Sequence, residues 1–350
     1  MKTKKSGSFM AKLRSLTSDA NLVRLFFIMV ASFALMAILR PEKFLRASNI
    51  QSMCYQFPEI GIFAIAVMLA MLLGGIDLSV VGVGNLAGIV ACMLEIALEP
   101  KIGMWPAIII GIFCALLTGV VCGALNGFLI AKVGIPAMLA TLGSMEIFSG
   151  LGIAITRGAA VFGTPEQFTF IGAGKLLGIP GPLVVFILVV VVFTIILQRK
   201  QFGMELYLLG TNPKAARFAG INNTAVIMKT HISASLLASV AGIIVASRAN
   251  SAKASYGSAY TLQCLLVAIL GGVNPSGGFG TVTGVVMAIL TLQFLSSGFN
   301  ILRVDSYFKT FIWGAVLVLA MIMNYYGNRF ADKRKSKEAA KINESAEKKA

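Results

Sequence analysis

The run GPLVVFILVVVVFTIIL, Gly181–Leu197, contains no charged side chain. So long an apolar stretch leaves no helix face for water, whereas a bilayer core accommodates about 20 such residues as one helix. Comparable runs recur along most of the chain, and only 13% of its 350 residues are charged. Soluble domains carry about 25%. The deficit is too large to come from a big core and indicates an all-α, polytopic membrane protein.

Ten spans are expected, at about 22–39, 57–73, 78–98, 105–131, 135–156, 181–198, 226–247, 261–273, 280–299 and 307–325. The second and eighth are short and end at glycine pairs, so each is expected to tilt, re-enter or break. The chain reads as one transmembrane domain, core about 22–325, between basic tails 1–21 and 327–350. The first apolar run lacks a small-residue cleavage site and reads as a retained span. Lys2, Lys4, Lys5, Lys12 and Arg14 precede the first acid, Asp19, and the tail from Gly327 holds eight basic residues against four acidic. Basic ends stay in the cytoplasm, which implies an even number of spans. Lys132 and the segment 199–229, with Arg199, Lys200, Lys214, Arg217 and Lys229 against Glu205, then also face the cytoplasm. Arg40, Lys43 and Arg46 fall outside and count against this topology.

The net charge of +16 does not point to nucleic acid, because the basic tails come with no folded soluble domain. Five cysteines, Cys54, Cys92, Cys114, Cys122 and Cys264, show no C-x-x-C spacing and read as small apolar residues. With His231 as the only histidine, no metal site is expected. Gly111, Ala115, Gly119, Gly123 and Gly127 recur every fourth residue, which predicts close packing of a neighbouring helix.

Two stretches open alike: LLGGIDLSVVGVGNLAG from Leu72 and ILGGVNPSGGFGTVTG from Ile269. Gly74 and Gly75 recur as Gly271 and Gly272, with Asn274 in the place of Asp77. Glycine permits backbone angles that end a helix, and the freed backbone groups are tolerated only against protein or a water-filled path. Asp77 or Ser79, and Asn274 or Ser276, are placed to cap the following helices. Lining a polar path is the competing role, since an ionisable group within a span is a functional candidate. Such a repeated hairpin is typical of transporters built from internal repeats. On this topology both hairpins turn at the cytoplasmic side, a parallel relation.

The other polar groups within spans are sparse: Glu95, Asn126, Thr141, Ser144, Glu146, His231 and Gln263. Glu95 lies near the outer end of its span, where reaching the interface explains it. Glu146 is mid-span in TLGSMEIFSG, as a paired or protonated acid or as a substrate contact. Ion-coupled carriers use acidic or histidine relays, so few such groups point to energy supplied by another subunit. In the basic segment, Thr211-Asn212-Pro213 predicts a capped helix start, and Gly220 stops the helix after KAARFAG.

These stretches resemble the permease subunits of bacterial ABC importers for simple sugars, of the ribose, galactose and autoinducer-2 type. The matching text is GGIDLSV (Gly74–Val80), LNGFLIAKVGIPAMLATLGSM (Leu125–Met145), FGMELYLLGTNPKAARFAGIN (Phe202–Asn222), LGGVNPSGGFGTVTGVV (Leu270–Val286) and YFKTFIWGAVLVLAMIMN (Tyr307–Asn324). The resemblance implies a second permease, identical or related, an ATP-hydrolysing subunit in the cytoplasm and an extracytoplasmic solute-binding protein, in the bacterial cytoplasmic membrane. ATP would be bound by that partner, and this chain would need no cofactor and no covalent chemistry. The coupling role falls on Gly210–Ile221, with Gly210, Asn212, Pro213, Ala215, Ala216, Arg217, Gly220 and Ile221. The path candidates are Gly74, Gly75, Asp77, Ser79, Asn85, Asn126, Thr141, Ser144, Gly271, Gly272 and Asn274, whose neutral groups suit a sugar.

Departures from the family pattern fall near the expected path and bear on the solute more than on the fold. Thr261 and Gln263 replace two acids, Ala137 replaces a phenylalanine, and Val81 a glycine. Two other readings stand beside a monosaccharide importer: a branched-chain amino-acid permease of the same architecture, and a secondary transporter working alone. An integral-membrane enzyme is weaker, since no paired carboxylates, Ser/His pair or metal constellation is visible.

Overall fold

The computed structural model describes residues 20–176, 178–305, 307–319 and 321–322, so nearly all of both basic tails lies outside the described residues. The described residues fall into two units, divided between Val304 and Asp305. In the second, the helix Tyr307–Leu319 stacks Phe308 on Phe311 at 5.9 Å between ring centroids.

In the first unit α1 (Ala20–Leu39), the single turn α2 (Pro41–Phe44), α3 (Ala47–Leu72), α4 (Val80–Ile102) and α5 (Met104–Phe128) follow one another. A π turn, Leu129–Val133, extends α5, and α6 (Ala137–Thr156) comes next. The short α7 (Glu166–Ala173) precedes α8 (Gly181–Arg199), and α9 (Gln201–Thr211) and α10 (Pro213–Phe218) lead to α11 (Asn223–Ala249). The shorter α12 (Tyr260–Leu270) and α13 (Val282–Ile301) complete the unit. Two-residue strands form two small antiparallel pairs: the distant Val161–Phe162 with Ser251–Ala252, and the local Lys175–Leu176 with Ile179–Pro180.

Among the described residues eight helices are long and apolar enough to cross a bilayer. Two shorter apolar helices, Tyr260–Leu270 and Tyr307–Leu319, occupy the places of the expected eighth and tenth spans. The second span differs from expectation: α3 has 26 residues and runs straight through Pro58. Its first turns, ASNIQSMCYQ, are too polar for a hydropathy count, yet Met53 there is buried against Met36 and Phe44.

The core forms where α11 packs on α3, α4 and α5. Close approach depends on glycine. A Cβ at Gly123 would stand 2.6 Å from the His231 carbonyl oxygen, and one at Gly119 would be 2.7 Å from that of Ser235. Gly119, Gly123 and Gly127 of the ladder are therefore the surface on which α11 lies, whereas Gly111 packs on α4 at Ala91 and Glu95. The peripheral α1, α6 and α8 are largely exposed and apolar, with Phe27, Leu139 and Leu188 outward.

Candidate functional site

The two glycine steps end α3 and α12 in the same way. Gly75 N–H donates to Ala70 O at 3.2 Å and Gly74 N–H to Met71 O at 2.9 Å. Val273 N–H donates to Ala268 O and Gly272 N–H to Ile269 O, both at 3.0 Å. Each is a helix-ending pair of bonds around one left-handed residue, Gly74 at φ +88° and Gly272 at φ +81°. The left-handed residue is thus the first glycine of one pair and the second of the other.

After the first step the chain turns inward. Asp77 is 1% exposed, and its Oδ1 accepts from the Ser79 amide at 2.9 Å and the Ser79 hydroxyl at 2.6 Å. Its Oδ2 lies 3.0 Å from Nδ1 of His231, on α11. Asn126 of α5 donates to Ser79 Oγ at 2.8 Å, so three helices converge on one buried carboxylate. Thr141 of α6 accepts from the Leu78 amide at 3.2 Å and stands 3.1 Å from the Ile76 carbonyl oxygen, which holds the broken backbone from the other side. Ser79 occupies the cap position of α4 without a side-chain cap bond; the capping oxygen belongs to Asp77, two residues upstream of Ser79. Satisfied in this way, a charged group can persist in a low-dielectric interior.

The second step stays near the surface. Asn274 is half-buried and accepts from the Ser276 amide at 3.0 Å, as Asp77 does from Ser79. The cap of α13 is Thr281, whose hydroxyl accepts from Gly284 N–H at 3.1 Å.

The two steps touch each other, and α9 touches both. Gly278 N–H donates to Leu72 O at 3.0 Å, the last residue of α3. A Cβ at Gly277 would be 2.5 Å from Gly210 O and 2.8 Å from Gly74 N. A Cβ at Gly210 would overlap the Leu72 carbonyl and come 2.7 Å from the Gly278 amide nitrogen. The Tyr207 hydroxyl donates to Gly280 O at 2.7 Å, and burial pushes the Tyr207 phenol up. Gly74, Gly210, Gly277 and Gly278 make a backbone-to-backbone joint that no side chain could enter.

From this joint α9 runs into α10. Asn212 Oδ1 accepts from the amides of Lys214 and Ala215 at 3.1 and 3.0 Å, Pro213 is the first helical residue, and Gly220 turns the chain at φ +80°. Ala216 is buried beneath the short helix, while Phe218 is 93% exposed. Phe218 is thus an exposed apolar side chain at the end of a short helix that also carries Lys214 and Arg217.

The expected residues therefore fall into separate groups. Asp77, Ser79 and Asn126 form one network, with Thr141 at its edge. Ser144 bonds back to the Thr141 carbonyl at 3.2 Å within α6. Asn85 is elsewhere, donating to Ala254 O and Tyr256 O at 2.9 and 2.8 Å and so clamping the chain ahead of α12. Gly74 and Gly210 meet in the joint; Gly75 lies against Ala137, and Gly271 against α13 at Val285. Glu95 is fully buried and does not reach an interface; Gly111 covers it.

Several contributors escaped the sequence reading. His231 is the lone imidazole of the sequence, and no spacing ties it to Asp77, 154 residues away. Tyr207, Gly277 and Gly278 carried no pattern. Glu59, 1% exposed on α3, accepts from Arg248 at 2.7 and 3.0 Å and from the Tyr260 hydroxyl at 2.8 Å, tying α3 to α11 and α12. Its signal was an acid inside an apolar run. Among the described residues, no group of three or more His, Cys, Asp or Glu side chains is placed to hold a metal ion.

Residues 49–321 match the family described as branched-chain amino acid transport system, permease component. The chain is 36% identical to a ribose import permease protein of Bacillus subtilis over 293 residues, 83% of this chain and 88% of the relative. It is 29% identical over 310 residues to an L-arabinose ABC transporter permease protein of Azospirillum brasilense, covering 89% of this chain and 87% of that one. To a D-allose transport system permease protein of Escherichia coli it is 29% identical over 301 residues, 85% and 90% of the two chains. No solved structure gives a significant match.

Proposed function

The chain belongs to the family of branched-chain amino acid transport system permease components, and from that premise we propose that it is the permease subunit of an ABC importer for a monosaccharide or similar small polar solute. The sugar reading rests on the relatives named for ribose, L-arabinose and D-allose import. A separate ATPase binds and hydrolyses ATP in the cytoplasm, a second permease completes the path, and an extracytoplasmic binding protein delivers the solute. The chain spans the bacterial cytoplasmic membrane with both termini inside, carries no cofactor and makes or breaks no covalent bond.

The observation that carries the mechanism is the seating of α9 on the joint of the two glycine steps. Movement of the ATPase against α10, anchored by Phe218, tilts α9 as a lever. Because Gly210 bears directly on the Leu72 carbonyl and on Gly278, the ends of α3 and α12–α13 must move with it. Close-packed backbones do not deform continuously, so the motion passes to the Asp77 network and opens the path to one side or the other. The test is a gentle detergent pull-down of the tagged chain from its native membrane, with ATP-driven uptake of labelled ribose, L-arabinose and D-allose. Co-purification of an ABC ATPase, lost when 212–221 is scrambled in a chain that remains folded, is the expected result. A transport-active chain without any ATPase would overturn it.

The family's description favours one second reading, a branched-chain amino acid as solute. Labelled leucine in the same uptake assay decides between the two.

A further inference from the structure

Glu146 is the acid that the network, the joint and the coupling helix leave unused. It is the tenth residue of the 20-residue span α6, about 14 Å from either end at 1.5 Å per residue, too far for its side chain to reach an interface. The packed side of α6 is formed by Ala140, Thr141, Ser144, Phe148 and Gly152. At about 100° per residue Glu146 points directly away from that side, and it is exposed. Glu59 and Glu95, the other acids deep in described spans, are buried. Open space surrounds the backbone on the same side: a Cβ at Gly143 or Gly150, one turn to either side of Glu146, would meet no atom within 4 Å.

Lipid is a poor cover for this carboxylate, because ionisable groups within spans are costly against lipid and almost always face a bundle interior or a water-filled cavity. A dry seam close to a two-fold axis with a second copy is unfavourable too, because there the two carboxylates would face each other and repel once desolvated. Water remains. A carboxylate is an acceptor on both oxygens, and what it binds best in a wet cleft is a donor such as a hydroxyl group. The flanking glycines leave room for a solute ring beside it.

We infer that Glu146 lines the water-filled path at the seam between two permeases and accepts hydrogen bonds from the hydroxyl groups of the transported solute. This rests on the importer reading above, but its first test does not depend on transport. Glu146→Cys, Gly143→Cys and Gly150→Cys are each made in the assembled importer in native membranes. Labelling at the new cysteine is read by mass spectrometry, so the five native cysteines stay in place. The expected result is reaction with the charged, water-soluble methanethiosulfonate ethylsulfonate at rates at least tenfold above those of buried Cys92 and Cys264. Reaction at all three positions only with a lipid-soluble maleimide would overturn the inference, whatever the solute proves to be.

The second test is uptake of ribose, L-arabinose and D-allose. Glu146→Gln, which loses the charge and one acceptor, is expected to raise the half-saturating concentration or cut the rate at least tenfold while the ATPase still co-purifies. Glu146→Asp should retain more uptake than Glu146→Gln. A Glu146→Gln importer with unchanged uptake would remove the solute contact. If the unaltered importer takes up none of the three sugars, the substrate assignment above fails, while the thiol labelling still decides where Glu146 faces.

Discussion

The two glycine steps begin with nearly the same six letters and end as different devices. Aligned by sequence, Gly74 pairs with Gly271, but in the structure the left-handed residue is Gly74 in one and Gly272 in the other. After this slip of one residue the first step turns a carboxylate into the core, where His231, Ser79 and Asn126 enclose it. The second leaves a half-buried amide at the surface and hands the capping of α13 to Thr281. A repeated motif thus specifies where a helix ends, whereas the surroundings decide whether the polar residue behind it is a charge in a pocket or a turn on the surface.

Substitutions at and around the two steps would break or sharpen that contrast. The largest effect is expected where the two steps meet. Gly210→Val drives a branched side chain into the Leu72 carbonyl and Gly278, so uptake and the yield of monodisperse protein should both collapse, measured by transport and size-exclusion chromatography. Asp77→Asn or His231→Ala, each stranding the buried partner, should cost about 3–5 kcal/mol in unfolding from detergent micelles. The double change Asp77→Asn with His231→Gln should cost less than the sum of the single ones, while Asn274→Ala should cost under about 1 kcal/mol. Equal losses at Asp77 and Asn274 would abolish the distinction drawn between the steps.

Smaller effects separate the glycines and the caps. Gly272→Ala introduces the left-handed penalty alone, about 1–2 kcal/mol. Gly74→Ala should exceed it, because its Cβ would also stand 3.0 Å from the Ser276 carbonyl oxygen; melting temperatures of the two variants rank them. Thr281→Ala and Asn212→Ala each remove one helix cap, about 1 kcal/mol. Only the second should also weaken retention of the ATPase in a pull-down.

The chain's letters were enough for the class of fold, because membrane spans are set by length and hydropathy, which are local properties. They were enough for the two breaks and for the capped helix at Asn212-Pro213, since glycine and a capping amide act on their own neighbours in the chain. The start of α3 was hidden by its polar side chains, which stay exposed or half-buried while Met53 between them packs inward.

What needed the tertiary structure was every pairing across the chain. Asp77 and His231 are 154 residues apart, and Glu59 and Arg248 are separated by 189. The joint of Gly74, Gly210 and Gly277 draws on three helix ends. No periodicity encodes such meetings, which follow from how the glycine faces let α11 and α9 approach. The sequence likewise placed Glu146 in the middle of a span. Which way it points was decided by the packing of α6, whose other face had already met α4.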